Sequence, residues 1–148
     1  MAIYQENGFY LEYPDDWEPT VELQMGSDSV TFTHPQGSFW NLSRLLTWVN
    51  PEEMLAMMAQ GLHDEYPQSD VVPAETQVGD AILYGIDVSF FYLDLPCTVQ
   101  IRVYSTEMYS YILYTQMADL EEADLAPKFR SITKSWLENI EKEIKSSE

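Results

Sequence analysis

The 148-residue chain is short of positive charge: seven Lys and Arg stand against 25 Asp and Glu, a formal charge of −18. The shortage is uneven. Residues 1–127 hold only Arg44 and Arg102 against 21 acids, whereas residues 128–148 hold five bases against four acids. A body of this sign repels phosphate backbones, so no nucleic acid is expected as a partner. Anionic membrane surfaces are disfavoured for the same reason. A single cysteine, Cys97, excludes an intramolecular disulfide and fits a reducing cytoplasm. The two histidines, His34 and His63, sit in different segments without zinc-site spacing. The six glycines are too scattered for a phosphate cradle, and no P-loop, Gly-x-Gly-x-x-Gly or Gly-x-Ser-x-Gly occurs. No run approaches the ~20 apolar residues of a membrane span. Residues 1–6 lack the basic and apolar regions of a signal peptide, and no Lys or Arg precedes Arg44, so no transit peptide is expected. No cofactor, no metal and no catalytic activity are expected.

What remains is a well-patterned, aromatic-rich chain, with ten Tyr and four Trp available for packing. Its length suits one domain spanning residues 1–148. Phe9, Leu11 and Tyr13 alternate with polar-edged neighbours as in a half-buried strand. Pro14-Asp15-Asp16 then turns the chain, and Trp17 closes the turn. Val21, Leu23 and Met25, then Val30 and Phe32, flank Gly26-Ser27-Asp28 and predict a hairpin. Residues 39–49 read as one longer strand.

Asn50-Pro51-Glu52-Glu53 is a helix start, with Asn50 as cap and Pro51 at the first helical position. Met54, Leu55, Met58, Leu62 and Tyr66 share a helical face, and Pro67 ends the helix. Four strands follow, over residues 71–78, 82–92, 97–103 and 109–117. Their short turns imply an antiparallel meander. A last helix carries the stripe Leu125, Phe129, Ile132, Trp136 and Ile140, with Pro127 in or near its first turn. Glu138/Lys142 and Glu141/Lys145 have ion-pair spacing on it. The order predicts an α+β fold, a single antiparallel sheet packed between helices, with Trp17 and Trp136 buried.

Gly8-Phe9 with Tyr13-Pro14 and Trp17, the Asn50-Pro51-Glu52-Glu53 start, and Phe129-Arg130-Ser131-Ile132 with Ser135-Trp136 together resemble the PsbP-like family. That fold is shared with the yeast Ran-release factor and many bacterial proteins. The resemblance implies an α/β/α sandwich over nearly the whole chain. Its studied members act as binding or assembly factors, which implies an unidentified protein partner. A small-ligand or peptide carrier with an aromatic pocket between sheet and helix is the alternative.

One constellation could serve a partner. Trp40, Arg44 and Trp48 fall at strand spacing on one face of the 39–49 segment. Such a row is longer than the ~10–12 Å breadth of a helix, so part of it is expected to stay uncovered. Arg102 is the other lone cation of the body. Trp, Tyr and Arg dominate interface hot spots, and a lone Arg among aromatics also serves as an internal ion pair or cation–π contact.

Overall fold

A computed structural model describes residues 1–146 of the chain, with side chains described to residue 142. In chain order the strands and helices are β1 (Ala2–Tyr4), β2 (Leu11–Tyr13), β3 (Glu18–Gln24), β4 (Ser27–Thr33), β5 (Phe39–Leu45), α1 (Pro51–Glu65), β6 (Asp70–Val78), β7 (Ala81–Tyr92), β8 (Leu95–Ser105), β9 (Ser110–Ala118) and α2 (Glu122–Ser146). A 3₁₀ turn, Asp119–Glu121, leads into α2. Strands β3 to β9 form one seven-stranded sheet in the order β3-β4-β5-β9-β8-β7-β6, every pair antiparallel. The short β1–β2 ladder is a separate pair.

Helices cover both faces. On one face α2 lays Leu125, Phe129, Ile132, Trp136 and Ile140 over Phe32, Trp40, Leu42, Leu113 and Met117. All five stripe residues are buried. Each buried side chain of this size contributes roughly 1.5–3 kcal/mol relative to exposure, so this stripe dominates the attachment of α2. The β1–β2 pair closes the same layer: Glu12 N–H donates to Ser135 Oγ at 2.9 Å. Trp17 N–H donates to Pro14 O at 3.1 Å, and its ring meets Phe129 edge-on. On the other face α1 packs Met54, Leu55, Met58 and the buried Leu62 against the sheet, and Tyr66 just past its end stacks on Phe90 at 4.2 Å. The start of α1 is as its residues dictate, with Asn50 Oδ1 accepting from Glu53 N–H at 3.1 Å.

Several boundaries differ from the sequence reading. The strand expected over residues 39–49 stops at Leu45, because both neighbours turn away there. Leu45 is the last residue paired to β4, through Ser27, and to β9, through Ser110. Beyond it Leu46 N–H donates to Gly26 O at 3.0 Å and Val49 N–H to Ser110 Oγ at 3.3 Å, and the ladder itself has ended. Pro127 lies inside α2 rather than in its first turn, because the helix is entered from the 3₁₀ turn five residues earlier. Glu138 pairs backwards, with Lys134 at 3.9 Å. The Glu141/Lys145 spacing lies outside the described side chains.

Candidate functional site

The expected partner-binding row is not a row. Trp40 is fully buried, and its Nε1–H donates to Thr133 Oγ1 of α2 at 3.0 Å. Arg44 is buried beneath the β1–β2 layer, where Nη2 donates to Asp28 Oδ2 at 2.7 Å and to Asn7 O at 2.6 Å. Its guanidinium lies 4.4 Å over the Phe9 ring and 5.0 Å over the Tyr109 ring. Gly8, at φ +81°, makes room for it; a β-carbon there would press on Nη1. Trp48 is 70% exposed, but it lies past the end of β5, in the connection to α1. The ladder that would have aligned it with Arg44 has already ended.

Arg102 is also internal, at 4% exposure. Its Nη2 forms an ion pair with Asp87 Oδ1 at 2.8 Å. Nε donates to Thr76 Oγ1 at 2.9 Å, and Nη1 to the Ile86 and Ile101 carbonyls at 2.9 and 3.1 Å. Trp40, Arg44 and Arg102 are therefore covered by the chain itself, and of the four residues only Trp48 is free to meet a partner. Lone cations in an apolar sheet are costly unless paired, which is why each has recruited a carboxylate and backbone carbonyls.

The surface that the sequence reading missed is the tip of the β7–β8 hairpin. Phe91, Tyr92, Leu93 and Leu95 are all exposed, Leu93 to 79%. Tyr92 and Leu95 are cross-strand partners, and Leu93-Asp94 make the turn between them. Both turn residues have positive φ, +52° and +63°. Two-residue hairpin turns with this backbone favour Asn-Gly, and a leucine there is strained. Beside the tip, Phe90, Phe91, Tyr66 and Pro67 line a depression of about 220 Å³. A signal was present in the sequence: Phe90-Phe91-Tyr92-Leu93 runs apolar through a hairpin end, where alternation should yield to polar residues.

A second concavity, of about 410 Å³, lies between α2 and the sheet. Its sheet side presents Thr76, Gln100, Arg102 and Thr115, and its helix side Pro127, Phe129 and Arg130. Phe129 is its one aromatic residue, so the expected aromatic carrier pocket is not this groove.

The remaining chemistry-bearing residues are dispersed. Cys97 is buried, and burial, followed by the nearby Asp119 and Glu121 carboxylates, pushes its thiol up from the ordinary value of 9.0. Glu121 lies 3.8 Å from His34, whose ring meets the edge of Trp17. Among the described residues no three His, Cys, Asp or Glu side chains gather where a metal could be held. No helix among them is long and apolar enough to cross a membrane.

No protein-family model and no curated protein sequence matches the chain. Solved structures do. The cyanobacterial PsbP (CyanoP) of Synechocystis sp. PCC 6803 superposes with a TM-score of 0.63 at 11% identity, over 90% of this chain and 89% of that one. A Pseudomonas aeruginosa protein of unknown function matches with a TM-score of 0.53 at 10% identity, over 91% of this chain and 94% of that one. A Bacteroides thetaiotaomicron structure matches with a TM-score of 0.55 at 14% identity. That match covers 86% of this chain, which spans only 43% of the Bacteroides chain. At these identities the likeness is one of architecture, and on it the chain has the PsbP-like fold: one antiparallel sheet between two helical layers.

Proposed function

We propose that the chain is a non-enzymatic, cytoplasmic protein-binding domain whose contact surface is the β7–β8 tip. One observation carries this reading: an apolar tip is kept exposed on a strained turn. Phe91, Tyr92, Leu93 and Leu95 project from the sheet, with Leu93 held at φ +52° where a smaller or polar residue would relax the turn. Contiguous exposed apolar groups mark interaction sites. Aromatic side chains beside a depression suit a knob-and-pocket contact. The acidic body selects the partner by charge: an apolar pocket with a basic rim fits, and acidic surfaces are turned away. The carrier alternative has less support, because neither concavity is an enclosed aromatic chamber.

A photo-crosslinking amino acid placed at Leu93 tests the reading in cells of the source organism, against the same group at Met25 on the opposite end of the sheet. The expected outcome is a discrete protein adduct from position 93 and none from position 25. Adducts from both positions, or from neither, would sink it.

A further inference from the structure

The groove between α2 and the sheet has a polar floor whose hydrogen-bonding capacity the chain leaves unused. Gln100 and Thr115 are cross-strand partners on β8 and β9, with side chains on the α2 face. Thr115 is only 5% exposed, and neither its hydroxyl nor the Gln100 amide has a hydrogen-bond partner among the described residues. Thr76 Oγ1 accepts from Arg102 Nε, which leaves its own O–H undonated. Thr115 is buried and Thr76 and Gln100 are half-buried, so these groups are open to the groove, and convergent polar groups in one concavity are the mark of a binding site. The volume of about 410 Å³ is within the usual range for small ligands.

Charge indicates which ligand. The groove is lined by two arginines, Arg102 and Arg130, against a single acid, Glu122, in a chain of formal charge −18. Arg102 is engaged with Asp87. Arg130, at the rim, donates to Gln77 O at 2.6 Å and has no carboxylate partner among the described residues. The open donors are thus the Gln100 amide, the Thr115 and Thr76 hydroxyls, and the remaining N–H groups of Arg130. Leu113, Met117 and Phe129 supply an apolar wall. A cation would meet the uncompensated Arg130, and a nucleotide would bring more negative charge than that one arginine offsets. The geometry points to a binding site for a small monocarboxylate with a short apolar body. The carboxylate meets Arg130, Gln100 and Thr115, and the body lies against Phe129 and Met117. This site is separate from the β7–β8 tip and does not depend on it.

The test is an amide-NMR titration of the full chain with hexanoate, hexanamide and hexylamine as probes. Hexanoate is expected to shift the amides of Thr76, Gln100, Thr115 and Phe129 saturably, with a dissociation constant on the order of 1 mM or tighter. Hexanamide should bind more weakly, and hexylamine should leave these amides unmoved. Arg130→Gln, at an exposed position and with its fold checked by the amide spectrum, should weaken hexanoate by about tenfold, the effect of losing one charge-assisted hydrogen bond. Thr115→Val should weaken it as well. Equal binding of the acid and its amide would overturn the carboxylate assignment. Unmoved groove amides, or an unchanged affinity in Arg130→Gln, would overturn the site.

Discussion

Gly85 of β7 stands directly across the ladder from Arg102 of β8, at a point where the backbone of β8 leaves no room for a side chain. A β-carbon on Gly85 would collide with the Ile101 carbonyl and crowd the Arg102 backbone. Arg102 reaches the Ile86 carbonyl beyond Gly85 and the Asp87 carboxylate beyond that. Arg44 also lies against a glycine, Gly8, and there it is the guanidinium itself that a β-carbon would meet. Both cations of the acidic body are thus seated against a glycine, and both hold elements together rather than face solvent.

Gly85→Ala is therefore expected to destabilise the chain by about 1–3 kcal/mol, as overpacking does where the obstacle is backbone. Gly61→Ala in α1 is the control, since nothing lies within 4 Å of its added carbon. There the change should stabilise by roughly 0.5–1 kcal/mol through helix propensity. Urea titrations of both variants decide. Equal small effects would remove Gly85 from its role.

Trp40 and Trp136 share one core, yet their indole N–H groups differ. Trp40 Nε1 donates to Thr133, whereas Trp136 Nε1 has no hydrogen-bond partner and lies between the Tyr104 and Tyr111 rings. Replacement by phenylalanine forfeits volume at both sites but a hydrogen bond only at Trp40. Trp40→Phe should cost about 1 kcal/mol more than Trp136→Phe. Trp136→Ala should cost ~3–5 kcal/mol, through the cavity it leaves. Equal midpoints for the two phenylalanine variants would deny the hydrogen bond its weight.

Periodicity made most of the frame legible. The meander, the Asn50 cap and the α2 stripe from Leu125 to Ile140 each repeat a local rule along many residues. Sequence could not show where β5 loses its partners, because that depends on turns at Gly26 and at residues 106–109, far away in the chain. Extending the strand by four residues converted two buried residues and a loop tryptophan into one imagined surface. The strand at Leu11–Tyr13 was legible in the alternation of Phe9, Leu11 and Tyr13, but its partner β1 has only three residues, too few for a period to register. The fates of Arg44 and Arg102 rested on acids 16 and 15 residues away, Asp28 and Asp87, which pairing rather than spacing brings near.

Alkaline pH should weaken the fold in a defined window. Burial, then the Asp119 and Glu121 charges, raises the Cys97 thiol above its ordinary 9.0. Burial, then Glu65 and Tyr66, raises the Tyr114 phenol above its ordinary 10.0. The unfolded chain releases both protons first, so the folded state holds more protons above those values and stability falls as pH rises. The urea midpoint should be flat between about pH 7 and 8 and decline above about pH 9. Cys97→Ala should start lower at neutral pH because of its cavity but decline later, from the tyrosine range. A midpoint that stays level to about pH 10.5 would contradict both shifts.

Leu93 sets stability against the proposed contact. At φ +52° its side chain costs about 1–2 kcal/mol in a backbone that Asn or Gly adopts readily. At 79% exposure it recovers little of this by packing. Leu93→Asn should therefore stabilise the chain by about 1 kcal/mol, a rise of roughly 2–4 °C in Tm for a domain of this size. The same change removes the most projecting apolar group of the tip. A crosslinker moved to the neighbouring Tyr92 should then capture the partner from the parent sequence and fail in the Leu93→Asn background. Two readouts keep the causes apart. An unchanged Tm would mean that the turn carries no strain to explain. A raised Tm with capture intact would mean that the strain is real and the tip is not the contact.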